Sequence, residues 1–221
     1  MHPLLAVFPF ALIAACQHAS PADAGQRAAP AGMFVGDGWQ GEYPGPILDI
    51  RSPVQVRAFQ DVCDPAPSLD CAVPPGLYHP WSKTTQSRFR TLRSITIYKA
   101  LADFSMDAVE GQPAASFPAG TTVEILYYYG EGICQWRIAG KTYDNACPEQ
   151  LVGEGETPRF EEQKPASPPP EDRQFFLVHC AGGDAWVEVT EALMSAPGVR
   201  EGQVLSYGEV GPAADPSQTS P

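Results

Sequence analysis

The sequence predicts an all-β protein: small antiparallel sheets with long loops and one short C-terminal helix. Three observations carry this. Several short runs alternate apolar with polar residues, the period of a half-buried strand. The 221 residues include 24 prolines and 20 glycines, too much punctuation for long helices. The apolar runs are rich in Val, Ile and Tyr, which suit a pleated surface.

The elements follow in order. Residues 17–33 are small and polar and read as a flexible tether, with order beginning near Phe34 to Trp39. Val54, Val56 and Ala58 alternate with Gln55 and Arg57 and predict a strand. A loop with Cys63 and Cys71 follows, then a Pro-x-Gly step at Pro74-Pro75-Gly76 leading into Leu77-Tyr78. Residues 95–104 alternate again, 104–116 read as a long loop, and Pro118-Ala119-Gly120 repeats the Pro-x-Gly step before Val123 to Tyr129. Gly130-Glu131-Gly132 marks a turn, Ile133 to Ala139 the return strand, and Gly140-Lys141 a second turn. Residues 153–172 have the composition of a linker and predict no core element. Gln174 to Cys180 and Ala185 to Val189 predict two more strands. Thr190 caps a helix through Met194, stopped by Pro197-Gly198. The tail from Pro212 is polar and predicts disorder. The implied organisation is a leader at 1–15, a tether at 16–35, a β-rich module at 36–93, a second at 94–152, a linker at 153–172, a C-terminal β module at 173–211 and a tail at 212–221. Two echoes run through it: the repeated Pro-x-Gly step, and a Trp placed a few residues after a Gly turn at Trp136 and Trp186.

Leu4 to Ala15 is apolar but shorter than the roughly 20 residues that span a bilayer. It has the length of a signal-peptide apolar region. It ends in Ile13-Ala14-Ala15-Cys16, which resembles the lipobox of bacterial lipoproteins. The resemblance implies a diacylglycerol on Cys16, cleavage before it and acylation of the new amino terminus, an anchor of more than one chain. Gln17, where an acidic residue favours the inner membrane, points to an outer-membrane lipoprotein facing the periplasm.

The net charge is −12, and the leader contributes no Lys, Arg, Asp or Glu. That excludes nucleic acid as a partner, since such binders need a basic footprint. Apart from Cys16 there are five cysteines, and export permits disulfides. Sequence proximity favours Cys63–Cys71 and Cys134–Cys147, leaving Cys180 over; a Cys180 bond to Cys134 or Cys147 stays open. His179-Cys180 is the one thiol beside a base, but neighbours on a strand point to opposite faces. The four histidines are scattered, so neither metal nor cofactor is expected. Glu161-Glu162 and Glu171-Asp172 read as a solvated acidic loop. Lys83, Arg88, Arg90 and Arg93 form a local basic strip that can meet anionic wall polymers or lipid headgroups. Tyr127 and Tyr129 share one strand face and can stack on sugar rings, or pack the core with Trp136.

The stretch 95–148 resembles bacterial SH3-like domains. The residues that carry the likeness are Ile97-Tyr98, the step Phe117-Pro118-Ala119-Gly120-Thr121-Thr122-Val123-Glu124-Ile125-Leu126, then Gly132 and Trp136-Arg137-Ile138. Asp184-Ala185-Trp186-Val187-Glu188-Val189 is similar to the Gly-x-Trp-Val half of another copy. The resemblance implies a small antiparallel barrel at 94–152 and, for exported members, attachment to peptidoglycan or to an envelope protein. The expected function is non-enzymatic binding of a cell-wall glycan or peptide, or of a protein partner, near the membrane, with Tyr127, Tyr129, Arg88 and Arg90 as candidate contacts. The alternatives are an envelope hydrolase using Cys180 and a purely structural scaffold.

Overall fold

The computed structural model describes residues 28–80, 88–108, 111–151 and 159–214, which form an all-β structure with one short α-helix. The first strands are β1 (Met33–Asp37), β2 (Leu48–Ile50), β3 (Val54–Ala58), β4 (Leu69–Val73), β5 (Gly76–Tyr78) and β6 (Phe89–Ser94). Next come β7 (Thr96–Ala100), β8 (Phe104–Met106), β9 (Ala115–Phe117), β10 (Thr122–Gly130), β11 (Ile133–Ile138) and β12 (Lys141–Ala146). A 3₁₀ turn at Pro148–Leu151 leads to β13 (Phe160–Glu162). The chain then forms β14 (Arg173–Cys180), β15 (Gly183–Glu188), helix α1 (Glu191–Met194), β16 (Val199–Glu201), β17 (Gln203–Ser206) and β18 (Glu209–Gly211).

Strand pairing divides these elements into two units, one inserted in the other. β7 and β10–β13 make one antiparallel sheet in the order β12-β11-β10-β7-β13, and the β8–β9 hairpin packs on it. Their shared core holds Tyr98, Met106, Val123, Ile125, Trp136, Ile138 and Phe160. The outer unit is built from both ends of the chain. Its sheets are β1-β6-β14-β15, β16-β2-β5 and β3-β4. Leu48, Ile50, Val54 and Tyr78 share a core with Phe176, Val178, Val187 and Leu193. Segments 36–93 and 173–211, separate modules in the sequence reading, are therefore one body. β6 and β14 pair antiparallel, with Phe176 opposite Phe89 on the face that both strands turn to the outer core.

The same succession of elements occurs twice. In the inserted unit it is β7, the β8–β9 hairpin, β10, the β11–β12 hairpin, a 3₁₀ turn, then β13 back beside β7. In the outer unit it is β2, the β3–β4 hairpin, β5 and β6, the β14–β15 hairpin, helix α1, then β16 back beside β2. The Pro-x-Gly echo falls at equivalent places, just before β5 and just before β10. The insertion lies between β6 and β14. Its two connections are stitched together where Ser94 N–H donates to Asp172 Oδ1 (2.8 Å) and Ser94 Oγ–H donates to the Pro170 carbonyl (2.8 Å).

Local rules account for most elements. Thr190 accepts the Leu193 N–H on its side-chain oxygen and starts α1, as the sequence predicts. Gly130 and Gly132 take positive φ at the β10–β11 turn, as do Ala139 and Gly140 at the next. Four expectations change. Strand β1 starts inside the segment read as tether, because Met33 is buried against Leu92 and Phe59. The 104–116 loop contains the β8–β9 hairpin, which buries Phe104 and Met106. The 153–172 linker contains β13, whose one buried residue, Phe160, sits edge-on to Trp136 with ring centroids 5.4 Å apart. No sheet among the described residues closes into a barrel; β12 and β13 remain edges of an open sheet.

The disulfides are Cys134–Cys147, as proximity favours, and Cys71–Cys180. The second corrects the Cys63–Cys71 pairing. Cys71 on β4 faces the outer core beside β14, whereas Cys63 belongs to the cluster around Phe59 and Phe175 and remains a thiol. The leader, Cys16, Lys83 and residues 215–221 lie outside the described residues. Of the tail, Ala213 is fixed by its N–H donating to Asp49 Oδ2 (2.9 Å) and by its carbonyl accepting from Arg51 Nη2 (2.9 Å).

Candidate binding groove

The two units meet along β1 and β10. Tyr127 lies flat on Gly36, where a Cβ would come within 2.3 Å of its ring, so the contact needs glycine. β10 departs from simple alternation: pairing with β11 shifts between Ile125 and Tyr127, and consecutive Leu126 and Tyr127 are both buried. The shift turns β10 from its own core toward the outer unit.

Above this contact lies a groove of about 760 Å³. One wall is Asp37 at the end of β1 and the loop after it, with Trp39, Glu42 and Tyr43; the other is the tip of the β10–β11 hairpin, with Tyr129, Glu131 and Ile133, and Asp144 on β12. Tyr207, in the β17–β18 turn, closes one end. Glu42 ties the walls together. Its carboxylate accepts the Tyr128 hydroxyl and the Glu131 N–H, and these bonds hold its pKa below the ordinary value. The Tyr43 hydroxyl donates to the Ser206 carbonyl (3.1 Å) and accepts the Gly208 N–H (3.0 Å), with its ring 5.2 Å from that of Tyr207. Trp39 is held edge-on by Phe89.

Of the residues named from sequence, Tyr129 lines the groove and is 47% exposed, its hydroxyl accepting from Gln135 Nε2 (2.8 Å). Tyr127 forms the floor at 3% exposure, and burial pushes its phenol up to about 12. The two rings are 5.2 Å apart. Arg90 is buried, ion-paired to Asp37 at 2.9 Å and stacked over Trp186 at 4.9 Å. Arg93 is mostly covered, and Arg88 spends its carbonyl on the Leu177 N–H. The basic strip is thus no continuous surface among the described residues: β6 is buried on both faces from Phe89 to Leu92, and Arg90 is covered with it. Sequence reasoning missed Glu42, Glu131, Asp144 and Tyr207. The signal nearest to hand was Trp39 and Tyr43 within a Gly-rich loop.

Comparison with protein-family models, curated proteins and solved structures gives no match.

The chemistry of the remaining candidates is plain. Cys180 is joined to Cys71, so it has no thiol to act as a nucleophile, and the Cys180 hydrolase loses its attacking group. His179 is exposed on the opposite face and pairs with Asp184 at 2.9 Å. Among the described residues no three His, Cys, Asp or Glu gather into a metal-binding group. None of their helices is long and apolar enough to cross a membrane. Burial first, and then the carboxylates of Asp61 and Asp64, push the Cys63 thiol up to about 11. At pH 7.5 its alkylation by iodoacetamide is expected to be about a hundredfold slower than that of an unperturbed cysteine, and to reach the ordinary rate in urea. A fast native reaction would show the thiol to be exposed.

Proposed function

We propose that this protein is a non-catalytic binding lipoprotein of a bacterial cell envelope. It is anchored through Cys16 to the outer membrane and uses the junction groove to hold a cell-wall component or an envelope protein. The observation that carries the reading is the groove. Exposed rings of Tyr129 and Tyr207, with the half-buried Trp39 and Tyr43, present amphipathic surface at low cost in conformational entropy, the composition of a recognition site. The two disulfides suit an oxidising compartment.

The SH3-like reading draws support from strand order. Within the inserted unit the sheet runs fifth, first, second, third, fourth strand, with a hairpin after the first strand and a 3₁₀ turn before the last. An SH3-like fold has such a succession, and the outer unit repeats the order of elements with its strands split between two sheets.

The test is retention of the full chain on purified peptidoglycan sacculi. Tyr129→Ala with Tyr207→Ala is expected to weaken retention by about tenfold or more, without loss of fold because both side chains are exposed. Retention unchanged in that double variant would remove the groove as the binding site.

A further inference from the structure

Resting on that groove as the binding site, we infer that its ligand is a peptide segment bearing a primary ammonium group, a lysine-type side chain with its aliphatic stem on the Tyr rings and its cation among the carboxylates.

Three observations carry this. The first is charge. Asp37, Glu42, Glu131 and Asp144 line the groove, and no Lys or Arg does among the described residues. Arg90 lies beneath the surface against Asp37, and the mostly covered Arg93 acts on Tyr127 from below. Glu42 is kept ionised by the bonds it accepts from Tyr128 and from the Glu131 backbone. On a chain of net charge −12, such a groove repels anions and attracts cations.

The second is the floor. The Tyr127 side chain is nine-tenths buried and more, and its hydroxyl sits beside Thr91 without meeting any partner in good hydrogen-bond geometry. It lies under the loop at Gly38, where a Cβ would be 3.3 Å from the phenol oxygen. Buried polar atoms of this kind are rarely left unmet. An ammonium brings three donors and no acceptor, which matches carboxylates and a phenol oxygen.

The third is the aromatic content. Tyr129 and Tyr207 are 47% and 86% exposed on the rim, and tyrosine faces attract a cation while covering its methylenes. A neutral sugar would use the rings but leave the excess negative charge uncompensated.

The experiment is an NMR titration of the full chain with the capped tripeptide Ac-Ala-Lys-Ala-NH₂, with the same peptide acetylated on Nε, and with chitotetraose. The lysine peptide is expected to shift the amides of Tyr129, Gly130 and Glu131. Acetylation of Nε, or the double variant Glu131→Gln with Asp144→Asn, is expected to weaken binding tenfold or more. Equal binding of both peptides, or chitotetraose shifting the same amides more tightly, would overturn the ammonium assignment while leaving the groove as the site. Loss of the site itself would appear separately, as wild-type retention on sacculi by Tyr129→Ala with Tyr207→Ala.

Discussion

Replacing Cys71 and Cys180 together by alanine is expected to lower stability by about 4 kcal/mol, the larger effect of the two disulfides. The bond joins residues 109 apart, and the chain-entropy argument assigns about 4.7 kcal/mol to a loop near 100 residues. Both sulfurs are buried, so alanine keeps the site apolar and leaves no orphan thiol. The magnitude follows from the insertion. Cys71 on β4 and Cys180 on β14 belong to one core, but the whole inserted unit separates them along the chain. Without the bond, pairing of β14 with β6 must close that long loop by non-covalent contacts alone. Cys134–Cys147 closes a short hairpin, 13 residues apart, and its removal is expected to cost about 3 kcal/mol. Urea unfolding of the two double variants measures both. A smaller loss for Cys71/Cys180 than for Cys134/Cys147 would contradict the topology. So would a non-reduced peptide map that finds Cys71 alkylated.

Trp136→Ala is expected to cost about 3–5 kcal/mol, because the side chain is fully buried between Phe104 and Phe160 and its loss opens a large cavity. Trp136→Phe is expected to cost much less, about 1–2 kcal/mol. Phenylalanine fills most of the space and also removes an indole N–H that has no acceptor in the core, an arrangement that itself costs about 1–3 kcal/mol. Urea titration followed by far-ultraviolet circular dichroism separates the two. If phenylalanine costs as much as alanine, the indole N–H has a partner and the inserted core is wetter than its residues suggest.

The sequence made the local devices legible. Gly130-Glu131-Gly132 sets a hairpin turn through positive φ, Thr190 caps α1, and alternation at Val54–Ala58 marks a strand. Cys134–Cys147 was readable because its two residues flank one hairpin. Phe160 was not readable. It is the one buried residue of a three-residue edge strand, and one apolar side chain among acidic neighbours carries no periodicity. Phe104 and Met106 were hidden for the same reason, as two buried residues on a three-residue strand. At the site, Tyr127 and Tyr129 were legible as aromatics sharing one strand face, which left open whether that face met a ligand or the core around Trp136. A shift in β10 pairing and the glycine at position 36 drew Tyr127 under the outer unit instead.

By itself, then, the sequence determined the all-β class, the turns and the helix cap, because each depends on residues within a few positions of one another. The tertiary structure alone decided that the two chain ends form one unit around an inserted one, that Cys71 bonds Cys180 rather than Cys63, and that Trp39, Glu42, Tyr129, Asp144 and Tyr207 line one groove. Those outcomes depend on which apolar faces cover each other across more than 80 residues of chain, from β6 to the far end of β14. Burial is non-directional and leaves no local signature of its partner.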